Sequence, residues 1–125
     1  MADTRGLIET LLTLRNAIKV YHWSTTDYAR HIATCSFLGK ADALIDTIVE
    51  TYSARYGRPA ATAEYSLSFG GLTDAAAKAT MRSAADWLVR EMPKLLDARR
   101  DSDILNLRDE LLNDVHQALY LFELK

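Results

Sequence analysis

The chain has little of what interrupts or staples a fold. Two prolines and five glycines in 125 residues leave long segments without a helix breaker, which favours helices over a turn-rich β fold. A single cysteine, Cys35, excludes an intramolecular disulfide and fits a reducing compartment, so a cytoplasmic location is expected. The longest apolar runs fall far short of the ~20 residues that cross a bilayer. The MADTRGL start lacks the basic region and apolar core of a signal peptide, so no membrane association is expected. A net charge of −2 is too small to draw the chain to nucleic acid or to an anionic surface, and neither end carries a lysine-rich tail. No internal repeat, low-complexity tract or linker divides the sequence. One domain, residues 1–125, around one core is expected.

What is present is helical periodicity. Leu7, Leu11, Leu14, Ile18 and Tyr21 recur at steps of four and three, which predicts an amphipathic helix from about Thr4 to Trp23. The cap and turn cluster Ser24-Thr25-Thr26-Asp27 is so short that a second helix must return antiparallel beside the first. That helix is expected from about Tyr28 to Tyr56, stopped by Gly57 with Pro59 beyond. One of its faces carries His31, Cys35, Leu38, Asp42, Ile45, Val49, Tyr52 and Tyr56 at a seven-residue period, with Phe37, Ala41, Leu44 and Ile48 beside it. Two adjoining apolar faces point to a contact beyond the helix's own bundle, a subunit interface. Residues 57–72, rich in Gly, Ala and Ser, are long enough to cross the length of a bundle. Thr73-Asp74 caps a third helix with the stripe Ala77, Met81, Ala84, Leu88 and Leu95, which Pro93 should kink or break. Asp101-Ser102-Asp103 caps a fourth with the stripe Ile104, Leu107, Leu111, Val115, Ala118 and Phe122. The expected fold is all-α, a four-helix bundle with a long crossover between helices 2 and 3, the ferritin-like arrangement.

The candidate chemistry lies between Tyr21 and Gly57. The short turn brings His22 and His31 to the same end of the bundle, and Asp46 and Glu50, four residues apart, share one face of helix 2. Two imidazoles and two carboxylates form a ligand set for iron, manganese or zinc. His31 and Asp46 are fifteen residues apart, roughly 22 Å along one straight helix, too far to share a metal within one chain. A two-fold dimer with antiparallel copies of helix 2 would bring the histidine end of one chain to the carboxylate end of the other, making two such sites. The expected partner is therefore a second copy packed through helices 1 and 2, with further assembly into a higher homo-oligomer.

Plainer roles compete for several of these residues. Asp46 and Glu50 flank Ile45 and Val49, so full exposure is not expected of them. Asp42 is either a further ligand or the partner of an Arg or Lys. His22 alternatively bonds a backbone carbonyl at the helix end. Cys35 reads as a small buried residue rather than a nucleophile, Trp23 as packing, and Tyr52, Arg55, Tyr56 and Arg58 as packing or interface. A di-iron site inside one bundle needs Glu-x-x-His on two helices. Here Glu50-Thr51-Tyr52-Ser53 and Glu110-Leu111-Leu112-Asn113 both lack the histidine, so no such site is expected and His116 reads as structural or superficial.

His22-Trp23, then His31, then Asp46 and Glu50 at these spacings resemble the DNA-protecting mini-ferritins, the Dps-like group, over helices 1 and 2. The resemblance implies an inter-subunit ferroxidase centre acting on Fe(II), with His22 and His31 from one subunit and Asp46 and Glu50 from its partner. Across the whole chain, YHW, YARH, RYGRP and SDILNLRDELLNDVHQALYLFELK are similar to an uncharacterised ferritin-like family of tailed phages and large DNA viruses. That likeness implies the fold and not an activity. The alternative function, favoured by Cys35 and the two apolar faces of helix 2, is a ferritin-like structural or assembly module without ferroxidase activity, virion-associated where the viral likeness holds. Cys35 stands where the mini-ferritins place a carboxylate, and a thiol there favours softer metals such as zinc. The turn between His22 and His31 is also shorter than in that group.

Overall fold

A computed structural model describes residues 3–124; Met1 and Ala2 of the MADTRGL start and Lys125 of the C-terminal segment lie outside the described residues. Four α-helices carry the regular structure, α1 (Thr4–Ser24), α2 (Tyr28–Tyr56), α3 (Asp74–Asp86) and α4 (Ser102–Phe122), with no strand among the described residues. Three of them begin with a side-chain cap on a backbone N–H that the helix itself cannot satisfy. Asp3 accepts from Gly6, Asp27 from Arg30 and Thr73 from Ala76, at 2.9, 3.3 and 3.1 Å. Gly57 ends α2 at φ +125°, a conformation open to glycine and strained for other residues.

Hydrogen bonds between helix ends define the topology. Thr4 Oγ1 donates to the Gly57 carbonyl at 2.8 Å, and the Asp3 N–H donates to the Tyr52 hydroxyl at 3.0 Å. The end of α2 therefore lies beside the start of α1. At the far end of α1, the Tyr21 hydroxyl donates to the Asp74 carboxylate at 2.6 Å, so α3 begins there. Residues 57–72 thus leave beside one end of α1 and return beside the other, tied midway by the Ser66 N–H donating to Glu9 at 2.6 Å. The chain then turns back, with Arg55 of α2 paired to Asp103 at the start of α4 (2.5 Å) and Lys78 of α3 paired to Glu123 just past its end. The main pairings are α1 with α2 and α3, and α4 with α2 and α3. Tyr21 and Tyr52, both fully buried, anchor opposite ends of the core. Burying a large side chain of this kind stabilises by about 2–3 kcal/mol, and each ring spends its hydroxyl on a helix end.

The break expected at Pro93 is spread over two turns: α3 passes into a π turn at Trp87–Glu91 and then a 3-10 turn at Met92–Leu95 that contains the proline. The π turn shifts the backbone register, and the Leu88 carbonyl accepts from Arg108 Nη1 of α4 at 2.9 Å. With that shift Met92 becomes fully buried, while Ala84 and Leu95 of the expected stripe are only half-buried. Asp101, read as a helix cap, makes no side-chain cap on α4. It is 0 % exposed and accepts from the Tyr56 hydroxyl, from Arg55 Nη1 at 3.1 Å and from the Asp97 N–H at 2.8 Å. Burial by itself pushes this carboxyl up, and the three donors outweigh it and hold the pKa below the usual carboxylate range. Asp101 is the knot that joins the end of α2 to the start of α4. No helix among the described residues is long and apolar enough to cross a membrane.

Candidate metal centre

The turn after α1 is closed by the Thr25 N–H donating to the Tyr21 carbonyl at 2.9 Å, which sets the last turn of α1 against the first turn of α2. His22 and His31 meet there as a stack, ring centroids 4.0 Å apart and planes 16° from parallel. His31 Nδ1 lies 2.9 Å from the His22 carbonyl. His22 Nδ1 lies 3.1 Å from the His31 carbonyl and 2.8 Å from Thr34 Oγ1. A carbonyl only accepts, so in both rings Nδ1 carries the hydrogen and donates. The Thr34 hydroxyl donates to the carbonyls of Arg30 and His31, at 2.9 and 3.0 Å, and keeps a lone pair for His22. Both Nε2 atoms are thereby left unprotonated in the neutral rings. A metal-binding histidine takes this tautomer, with its other nitrogen held by a second group. Burial, and after it the neighbouring His31, lowers the His22 pKa, so this ring is neutral at pH 7.

Asp46 and Glu50 lie elsewhere on α2, at least four turns from His31, and both are exposed. This overturns the expectation drawn from Ile45 and Val49. The core-facing arc runs through Ile45 and Ile48 and leaves residues 46 and 50 on the outer side. The two carboxylates face each other closely enough that a hydrogen bond from Asp46, and then its charge, raise the Glu50 pKa. Two carboxylates in this relation hold a proton or a cation better than either does alone. Among the described residues, no group of three or more His, Cys, Asp or Glu within one chain could hold a metal ion.

The neighbouring candidates separate clearly. Asp42 is committed to Arg15 through two bonds, 2.9 Å to Nε and 3.3 Å to Nη2, which resolves its role as an ion-pair partner. Cys35 is exposed rather than buried. Trp23 is 69 % exposed and does not pack into the core; Lys19 Nζ sits 5.3 Å above its ring. Val20, Tyr28 and Ile32, at the same end of α1 and α2, are exposed too. Tyr52 packs in the core, Tyr56 and Arg55 serve the Asp101 knot, and Arg58 and His116 are exposed. Sequence reasoning missed Thr34, fully buried beneath His22. Its signal was a hydroxyl residue one turn beyond His31, a place where threonine usually bonds only its own helix.

The fold and this centre together define an all-α, four-helix protein with a locked histidine pair at one end and an outward carboxylate pair toward the other. Residues 22–122 match a family described as a family of unknown function (DUF5856), and the chain belongs to that family. The matched span contains His22, His31, Asp46 and Glu50. No curated protein and no solved structure matches the chain.

Proposed function

We propose that this chain is a ferritin-like bundle that binds iron at two symmetric sites shared between two copies, and oxidises it there. His22 and His31 come from one chain and Asp46 and Glu50 from the other, the arrangement that the mini-ferritin resemblance implies. The ferritin-like topology is supported by the course of residues 57–72, which join α2 to α3 from one end of α1 to the other; such bundles carry one long crossover. The observation that carries the metal reading is the paired tautomer of His22 and His31, with each Nδ1–H held and each Nε2 free.

The stack also bears on how metal would be held. Near-parallel rings 4.0 Å apart cannot both aim an in-plane lone pair at one ion ~2.1 Å away. Each ring therefore offers its own Nε2 to metal, and the centre forms only with both rings and the partner's Asp46 and Glu50 in place. Fe(II) is the substrate in this reading. Neutral imidazoles fix its place without adding charge, and the partner's Asp46 and Glu50 balance its charge. Cys35, exposed one turn beyond His31, suits zinc better than iron, and manganese fits the carboxylates. The proposed partner is a second copy through α1 and α2, with further homo-oligomer assembly; nucleic acid has no part in it.

Anaerobic Fe(II) titration followed by oxygen or peroxide tests this directly. Saturable binding with oxidation faster than in buffer supports it, and oxidation no faster than in buffer excludes ferroxidase activity. A second reading, a structural or assembly module of a virus particle, is favoured by the exposed Val20, Trp23, Tyr28 and Ile32 at the histidine end. An assembly module would associate equally well with and without metal.

A further inference from the structure

A groove of about 550 Å³ opens between α1, α3 and the crossover connection, and none of the candidate metal ligands lines it. At its start α3 is bound to α1 through Tyr21 and Asp74, and the π turn that follows α3 is bound to α4 through the Leu88 carbonyl and Arg108. The facing residues between these ties are small, Thr10 and Thr13 on α1 against Ala79, Thr80, Ser83 and Ala84 on α3. They are too short to interlock across the gap, and Phe69 of the connection and Trp87 complete the walls. The volume falls within the ~300–1,000 Å³ of small-molecule sites.

The groove is lined by five hydroxyl side chains, of which Thr13, Ser68 and Ser83 can donate or accept, and by one carboxylate. The Thr10 and Thr80 hydroxyls donate to their own helix, at the Gly6 and Ala76 carbonyls (2.9 and 3.0 Å), and so present lone pairs. Glu9 is the one charged side chain in the lining among the described residues. One of its carboxylate oxygens accepts the Ser66 N–H and lies 3.8 Å from Arg5 Nε; the other accepts no hydrogen bond among the described residues. A single carboxylate among neutral hydroxyls and apolar walls favours an occupant with a cationic, donating head and an apolar body. We propose that the groove binds a primary amine with an apolar alkyl or aryl body, its ammonium on Glu9 and its body between Phe69, Trp87 and the leucines of α1. An ammonium offers three donors and no acceptor. This site goes beyond the metal reading and does not depend on it.

Isothermal titration of the full chain at pH 7 with octylamine, octanol and octanoate, all below their micellar concentrations, tests the assignment, because the three probes share one chain and differ in head-group charge. Octylamine should bind saturably at ~1:1 and about tenfold more tightly than octanol, the advantage of a charge-assisted contact, with octanoate weaker still. Glu9→Gln should erase the preference for the amine while leaving octanol binding in place, and Ser83→Leu, which fills the gap, should abolish all three. No saturable octylamine binding, octanoate binding as tightly as octylamine, or an amine preference that survives Glu9→Gln would each overturn the proposal. The comparison among probes on the unmutated chain stands even where a variant fails to fold.

Discussion

His31 donates its Nδ1–H to the carbonyl of His22, and His22 directs its own Nδ1–H at Thr34 and at the carbonyl of His31. The two residues sit nine apart in sequence, yet each fixes the tautomer of its partner through the other's backbone. That reciprocity links the Ser24–Asp27 turn to the candidate chemistry: the turn sets the stack, and the stack leaves both Nε2 atoms available.

Thr34 is the least obvious part of this arrangement and the simplest to test. Thr34→Val keeps the shape and removes the hydroxyl that His22 bonds. It should cost about 1 kcal/mol in urea denaturation and weaken metal binding by about tenfold or more, as loss of a group that orients a ligand does. Unchanged metal affinity would show that Thr34 does not orient His22.

Acid should loosen the metal-free protein through His22. Its folded pKa is lowered, chiefly by burial, while the unfolded value is near ~6.5. Between those two values the unfolded chain binds more protons, so the contribution is present above ~6.5 and is lost as pH falls through that window. Urea midpoints at pH 7.5 and 5.5 should drop for the chelator-treated protein, and His22→Gln should shrink the drop. An equal drop in the variant would assign the effect to other groups.

Two of the ion-paired aspartates, Asp101 and Asp42, should behave differently. Asp101 is wholly buried among three donors, so Asp101→Asn should cost about 3 kcal/mol by leaving Arg55 and Tyr56 mismatched, and Tyr56→Phe about 1–2 kcal/mol. Asp42 pairs with Arg15 at a half-exposed site, so Asp42→Asn should cost less than ~1 kcal/mol and leave metal binding unchanged. Denaturation midpoints and a metal titration on the same proteins check both statements.

The helix ends were legible because each is written locally: Ser24 to Asp27, Gly57 and Thr73-Asp74 stop or start a helix within a few residues. The pairing of His22 with His31 followed from the shortness of one turn. The exposure of Cys35 did not, because a seven-residue stripe drifts by ~20° per heptad on a straight helix. Along α2 that drift moves the buried arc from Ala33, Thr34 and Phe37 to Ile48 and Tyr52. Asp101 looked like a cap because its neighbours in sequence suit one, while its partners Tyr56 and Arg55 lie more than forty residues away. The π turn before Pro93 has no local signal in the sequence, and small residues such as Ala79 and Ser83 give no sign there that a groove opens opposite them.

The most direct test of the shared-site account is complementation between His22→Ala and Asp46→Ala. Each protein alone should bind no Fe(II) at the saturable sites, since every site lacks one half. After co-refolding at equal amounts, half the dimers are mixed and each mixed dimer holds one intact site, so binding should return to about a quarter of the wild-type stoichiometry. Binding that stays absent in the refolded mixture, or that persists in either variant alone, would contradict a centre built from the histidines of one chain and the carboxylates of another.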